Sequence, residues 1–177
     1  MRKERVLLAL GFGLLLGCAT EPSVQPLVAV DGWTLLDHTN DVWEEHRAAH
    51  KRTCPGGFLV EDDVLEIETD TCGYVSAVQD TRVDLHAGDA IDLLTWHSAL
   101  ASTAAGARAH YALSFGEVPF WELDVAIPAS AAVYDEQIPV TEDVPAGTPL
   151  VLHLHNHGAN SWRLGHLEAV PADLIDR

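Results

Sequence analysis

The sequence predicts an all-β fold, an antiparallel β-sandwich of about nine strands with one short N-terminal helix, and three observations lead there. After Cys54 the chain runs in short alternating or apolar stretches, turn residues divide them, and the turns recur at intervals of about ten residues. With 177 residues, 47% of them hydrophobic, there is material for one compact core.

The helix comes first. Asp41 with Glu44 three positions on forms a capping-box pattern, and Pro55-Gly56-Gly57 ends the segment, so a helix is expected over about 41–52. Strands are then expected at 64–69, where Leu65 and Ile67 alternate with Glu66 and Glu68, and at 74–79 and 82–85. Ala87-Gly88-Asp89 turns the chain into a strand at 90–97. The small residues of 99–107, with Gly106, read as a loop before 108–115. Gly116-Glu117 separates that strand from 120–127, and Pro128-Ala129 precedes 134–140. Pro145-Ala146-Gly147 opens 149–156, and Gly158-Ala159-Asn160 opens the last strand at 161–170.

Ahead of this lies a leader. Arg2, Lys3 and Arg5 precede the apolar run 6–16, whose eleven residues are too few for a bilayer-spanning helix, which needs about 20. The run ends in Leu15-Leu16-Gly17-Cys18, which resembles the lipobox of bacterial lipoproteins. That resemblance implies a signal peptide at 1–17, a diacylglycerol on the Cys18 sulfur and an acylated Cys18 amine. Ala19 rather than Asp follows the cysteine, which in that family favours the outer membrane. Residues 18–30, with Pro22 and Pro26, then read as a lipidated tether, and 31–177 as a single sandwich domain.

Charge and cysteine usage agree with an envelope location. The chain holds 10 basic and 27 acidic side chains, a net charge of −17; without Arg2, Lys3, Glu4 and Arg5 it holds 7 and 26, or −19. Such a body repels nucleic acid and anionic headgroups alike, so lipid is the membrane attachment expected. Three cysteines are one too many for internal pairing. With Cys18 lipidated, Cys54 and Cys72 are expected to form a disulfide in an oxidising compartment; the alternative is a thiol metal site, which no CxxC spacing supports.

From 64 to 170, strand number and spacing, the turns 87–93 and 146–150 and the closing Asn160-Ser161-Trp162 resemble the galactose-binding-like jelly rolls, which include many carbohydrate-binding modules. The resemblance implies sugar binding on one sheet face or on the loop rim, and a structural calcium near the first and last strands. It assigns no individual residue.

The chemistry-bearing residues cluster late in the chain. On a strand Leu150, Leu152 and Leu154 share one face and His153, His155 and His157 the other. Residues at i and i+2 stand about 7 Å apart, close enough for two imidazoles to share an ion, whereas i to i+4 spans about 13 Å. A zinc or copper site would therefore use His153 and His155 with a third ligand from elsewhere, His97 first, then His110 or His166. The rival use of the same face is carbohydrate binding, with Trp96, Trp121 and Trp162 as candidate platforms and His97, His153, His155, His157, Asn156, Asn160 and Arg163 as polar partners. The ligand-binding set expected from this is His97, His153, His155, His157, Asn160 and Trp162.

Other clusters carry less. His46 and His50 have helical zinc-site spacing without the HExxH order, and the acidic run Glu61-Asp62-Asp63 with Glu66, Glu68 and Asp70 offers calcium ligands without an EF-hand loop, reading instead as a solvated strand edge. No G-x-S-x-G elbow or phosphate-binding glycine loop is present, and Glu122 and Asp124 share a face by simple alternation, so no catalytic residue is assigned. The functions left standing are a non-catalytic ligand-binding lipoprotein, a zinc- or copper-binding protein or metal-dependent hydrolase, and an interaction module with an envelope protein as partner.

Overall fold

A computed structural model describes residues 22–37, 39–43, 54 and 56–175. Among the described residues eleven strands are divided between two antiparallel sheets. The first sheet holds β3 (Phe58–Glu61), β4 (Val64–Glu68), β11 (Ser161–Val170), β6 (Ala90–His97) and β9 (Ala132–Pro139) in that order, with β1 (Gln25–Pro26) also on β11. The second runs β2 (Thr34–Leu35), β5 (Tyr74–Asp80), β10 (Pro149–Asn156), β7 (Arg108–Phe115) and β8 (Val118–Ala126). A 3-10 turn, Ala172–Leu174, follows β11. The architecture is the expected sandwich, because each long strand has one apolar side to bury and the facing sheet covers it.

Strands β6, β7, β10 and β11 begin and end where the flanking turn residues place them. The segment 82–85 does not pair as a strand. Leu85 is fully buried and bridges Val144 through two backbone bonds of 2.8 Å, so its alternation reports burial rather than membership of a sheet. Three short strands were not legible. β3 pairs with β4 through a two-residue turn in which Asp62 and Asp63 take φ of 49° and 61°, so the acidic run there is a hairpin as well as an exposed edge.

The expected tether joins the domain early. Leu27 is fully buried, its amide donates to the Leu167 carbonyl at 2.9 Å, and β1 continues along β11 where β4 stops. An apolar residue able to reach the core is held there, and Pro26 is tolerated because β1 is an edge. Of the helix expected over 41–52, residues 44–52 lie outside the described residues; Asp41–Trp43 form a turn in which the Asp41 carboxylate accepts the Trp43 amide at 3.0 Å. The leader, Cys18, His46 and His50 also lie outside them. Cys54 and Cys72 are disulfide-bonded, Cα to Cα 4.5 Å.

Aromatic rings fill the centre of the core. Tyr111 meets Trp121 and Trp162 edge-on at 5.3 and 5.7 Å. Its buried hydroxyl makes no hydrogen bond of ordinary length, although the Thr95 hydroxyl, which donates to the Arg163 carbonyl at 2.7 Å, is its polar neighbour. Burial holds the Tyr111 phenol well above its ordinary range, with Thr95 opposing only in part. Because the folded pKa is raised, this contribution to stability is complete below the unfolded value of about 10 and is lost as pH rises beyond it. Tyr111→Phe is expected to stabilise the domain by about 1 kcal/mol at neutral pH, by removing an unsatisfied buried group, and to flatten the alkaline loss. Urea titrations at about pH 7 and about pH 10.5 check both expectations. A Y111F protein less stable than wild type would mean that the hydroxyl is bonded.

Candidate functional site

The β10 alternation sorts its side chains as expected. Leu150, Leu152 and Leu154 are fully buried against the other sheet, while His153, His155 and His157 lie on the outer side. Register extends that outer face across neighbouring strands. His155 stands opposite Tyr74 on β5 and His110 on β7, and His110 opposite Asp124 on β8; one step along, His153 stands opposite Ser76 and Ala112, and Ala112 opposite Glu122.

His153 is covered. The Trp43 indole stacks on its ring at 5.1 Å and 17°, and also meets His110 at 5.1 Å, tilted. A chain of polar groups fixes the covering segment. The Tyr74 hydroxyl donates to the Asp41 carboxylate and lies 3.4 Å from the Ser76 hydroxyl, which is 3.1 Å from His153 Nδ1. Asp41 and His153 are thus buried but satisfied, and Trp43 is held in one orientation.

Beside Trp43 opens a cleft of about 410 Å3, lined further by Arg108, His110, Glu122, Asp124, His155 and His157. Arg108 Nη2 lies 2.9 Å from Asp124 Oδ1, and His110 Nε2 lies 3.4 Å from Glu122 Oε1. The side chains of Arg108, Glu122 and Asp124 are 59%, 50% and 57% exposed, so their polar atoms face water. The rings of His155 and His157 meet edge-on at 4.9 Å, and His157 Nδ1 accepts the Arg108 amide at 3.3 Å. A rigid indole beside a paired guanidinium and two carboxylates can stack on an apolar face and bond to vicinal hydroxyls.

The other expected ligands lie elsewhere. His97 is buried between the sheets, its ring 4.5 Å from Trp162. Its Nδ1 donates to the Ser98 carbonyl at 2.7 Å, which leaves Nε2 to accept the Tyr134 hydroxyl at 3.2 Å. Trp162 is fully buried, and its indole N–H donates to Asn156 Oδ1 at 3.2 Å. Asn156 Nδ2 donates to the Thr69 hydroxyl at 2.9 Å, which in turn donates to the Gly158 carbonyl at 2.7 Å. Asn160 belongs to the same buried end, where Oδ1 accepts the Ala101 amide at 2.8 Å and its own amide donates to Thr69 at 2.8 Å. The turn requires Gly158, at φ 114°, because a Cβ there would stand 2.2 Å from the Ala101 carbonyl oxygen.

The set His153, His155 and His97 is therefore not brought together, since β10 separates the inner histidine from the outer two. Among the described residues, the three-residue set of His, Cys or carboxylate groups whose ligand atoms converge within 4.8 Å is Asp92, His166 and Glu168, on the other sheet. The acidic run is divided between a turn and a paired strand. Its first part is the β3–β4 turn, and Glu66 is held by Arg163 and by the Ser161 hydroxyl at 3.1 Å. Burial, with Glu66 beside it, raises the Glu68 pKa above the ordinary carboxylate range.

No protein-family model matches the chain, and no curated protein matches it. Among solved structures it is similar to one described as "CBM4 structure and function", with TM-score 0.44 and 10% identity over 83% of this chain and 94% of that one. It is also similar to TmCBM61 in complex with beta-1,4-galactotriose, with TM-score 0.39 and 8% identity over 85% and 88%. Against an arabinose-bound MgGH51 α-L-arabinofuranosidase the TM-score is 0.43 at 7% identity, and the chain covers 27% of that protein with 88% of its own length. At these identities the likeness concerns the fold alone.

Proposed function

We propose that this chain is an outer-membrane lipoprotein, lipidated at Cys18, whose sandwich binds carbohydrate without transforming it, in the cleft on the outer face of the second sheet. One observation carries the binding assignment: Trp43, fixed by its stack on His153, borders a cleft whose rim presents Arg108, Glu122 and Asp124. Sugars offer apolar C–H faces between rings of hydroxyls, and this combination of indole and charged hydrogen-bonding groups matches both. An indole oriented in advance loses little freedom on binding, which favours affinity from so small a surface.

A glycan array with the untagged full-length protein selects the sugar, and titration calorimetry with the best glycan tests the site. Trp43→Ala and Arg108→Ala are each expected to weaken binding about tenfold or more, the cost of losing one stacking or charge-assisted contact. Trp96→Ala, on the opposite sheet, is expected to leave binding unchanged. Full affinity in both cleft variants would overturn the assignment, as would an array on which no glycan binds.

A further inference from the structure

The first sheet carries an arrangement on its outer face that neither packing nor sugar binding accounts for. Asp92 on β6 and Glu168 on β11 stand directly opposite each other in register, two carboxylates in a cross-strand pair that repel unless something lies between them. One step along β11, His166 joins them, its Nε2 3.8 Å from Asp92 Oδ1. That Nε2 is itself buried and has no hydrogen-bond partner. One ligand atom from each of the three residues lies within 4.8 Å of the others.

A bulge produces this convergence. The β11–β6 register slips between Leu164 and His166, so Gly165 is an extra residue, and His166 and Glu168 share the outer side with Asp92. Gly165 suits the bulge, because a Cβ would stand 2.8 Å from the Trp96 ring and 3.1 Å from Leu94, and those side chains would have to shift. The backbone is thus shaped to aim His166 at two opposed carboxylates. Beside them a cavity of about 420 Å3, bordered by Trp33, Asp63 and Arg82, gives ions and water a way in.

We infer that Asp92, His166 and Glu168 bind a divalent transition metal, zinc first, with water in the remaining position. Zinc bonds of about 2.1 Å to each ligand set the donors about 3.4 Å apart, so donors now within 4.8 Å of one another need to close by about 1.4 Å at most, a rotamer adjustment. Imidazole with two carboxylates suits zinc rather than calcium, which takes six or more oxygens. The ion would also remove the repulsion between the paired acids. The site lies on the opposite sheet from the sugar cleft and stands or falls independently of it.

Zinc titration of the untagged full-length protein, followed by calorimetry and by the His166 imidazole 15N resonances, tests the inference. In wild type zinc is expected to shift those resonances and raise the melting temperature. Asp92→Asn with Glu168→Gln, and separately His166→Gln, are each expected to weaken this binding about tenfold or more, while Arg108→Ala leaves it unchanged. In chelator the D92N/E168Q protein is expected to melt no lower than wild type, which keeps loss of zinc binding distinct from misfolding. Zinc that binds both variants as tightly as wild type, or leaves the His166 resonances unmoved, overturns the site.

Discussion

Trp162→Ala is expected to destabilise the domain by about 4 kcal/mol. The indole is fully buried, packs edge-on against Tyr111 and lies beside His97. Its N–H also satisfies Asn156, which holds the Thr69 and Gly158 end of the sandwich together. Truncation therefore leaves both a cavity and an unsatisfied buried amide. Since domains of this size are stable by only about 5–15 kcal/mol, the variant should remain folded but unfold at much lower urea. Trp162→Phe, which keeps most of the volume and loses the N–H, should cost about 2 kcal/mol. Glycan affinity of the folded fraction is expected to be unchanged. A W162A protein of wild-type stability that has lost its ligand would instead place Trp162 in the binding site.

Cys18→Ala is expected to abolish membrane attachment. Each buried acyl CH2 contributes about 0.8 kcal/mol, so several chains hold a protein where one is marginal. On the proposed anchor no other attachment is expected, because without residues 1–17 the net charge of −19 would repel anionic headgroups and the apolar run 6–16 is too short to span. Mass spectrometry of the wild type should find an N-terminal peptide that begins at Cys18 and carries a diacylglyceryl group. The variant should carry none and should enter the aqueous phase on detergent phase separation. A wild-type protein cut elsewhere, or bearing no lipid, refutes the anchor.

Much of the site follows from side-chain parity alone. The rule that turns Leu150, Leu152 and Leu154 inward leaves His153, His155 and His157 outside, as found. Applied to the neighbouring strands, the same rule groups His97 with Ile91 and Leu93, and Trp162 with Leu164, all on the buried side. Strand parity therefore places both side chains in the core, whatever an aromatic or an imidazole near a turn suggests by its type. No comparable signal exists for Trp43, which belongs to a segment before the first long strand and reaches His153 from more than a hundred positions away.

What the sequence determines by itself is therefore local: the sandwich, the limits of β6, β7, β10 and β11 set by their flanking turns, the facing of those strands, and the Cys54–Cys72 disulfide. Only the tertiary structure decides which outward faces become neighbours. Strand order and register set Arg108 and Asp124 beside His155, and they set Asp92 opposite Glu168 with a bulge aiming His166 between them. The reason is physical. Alternation along a strand follows from its own two-residue repeat, whereas pairing across strands depends on the packing of the whole core.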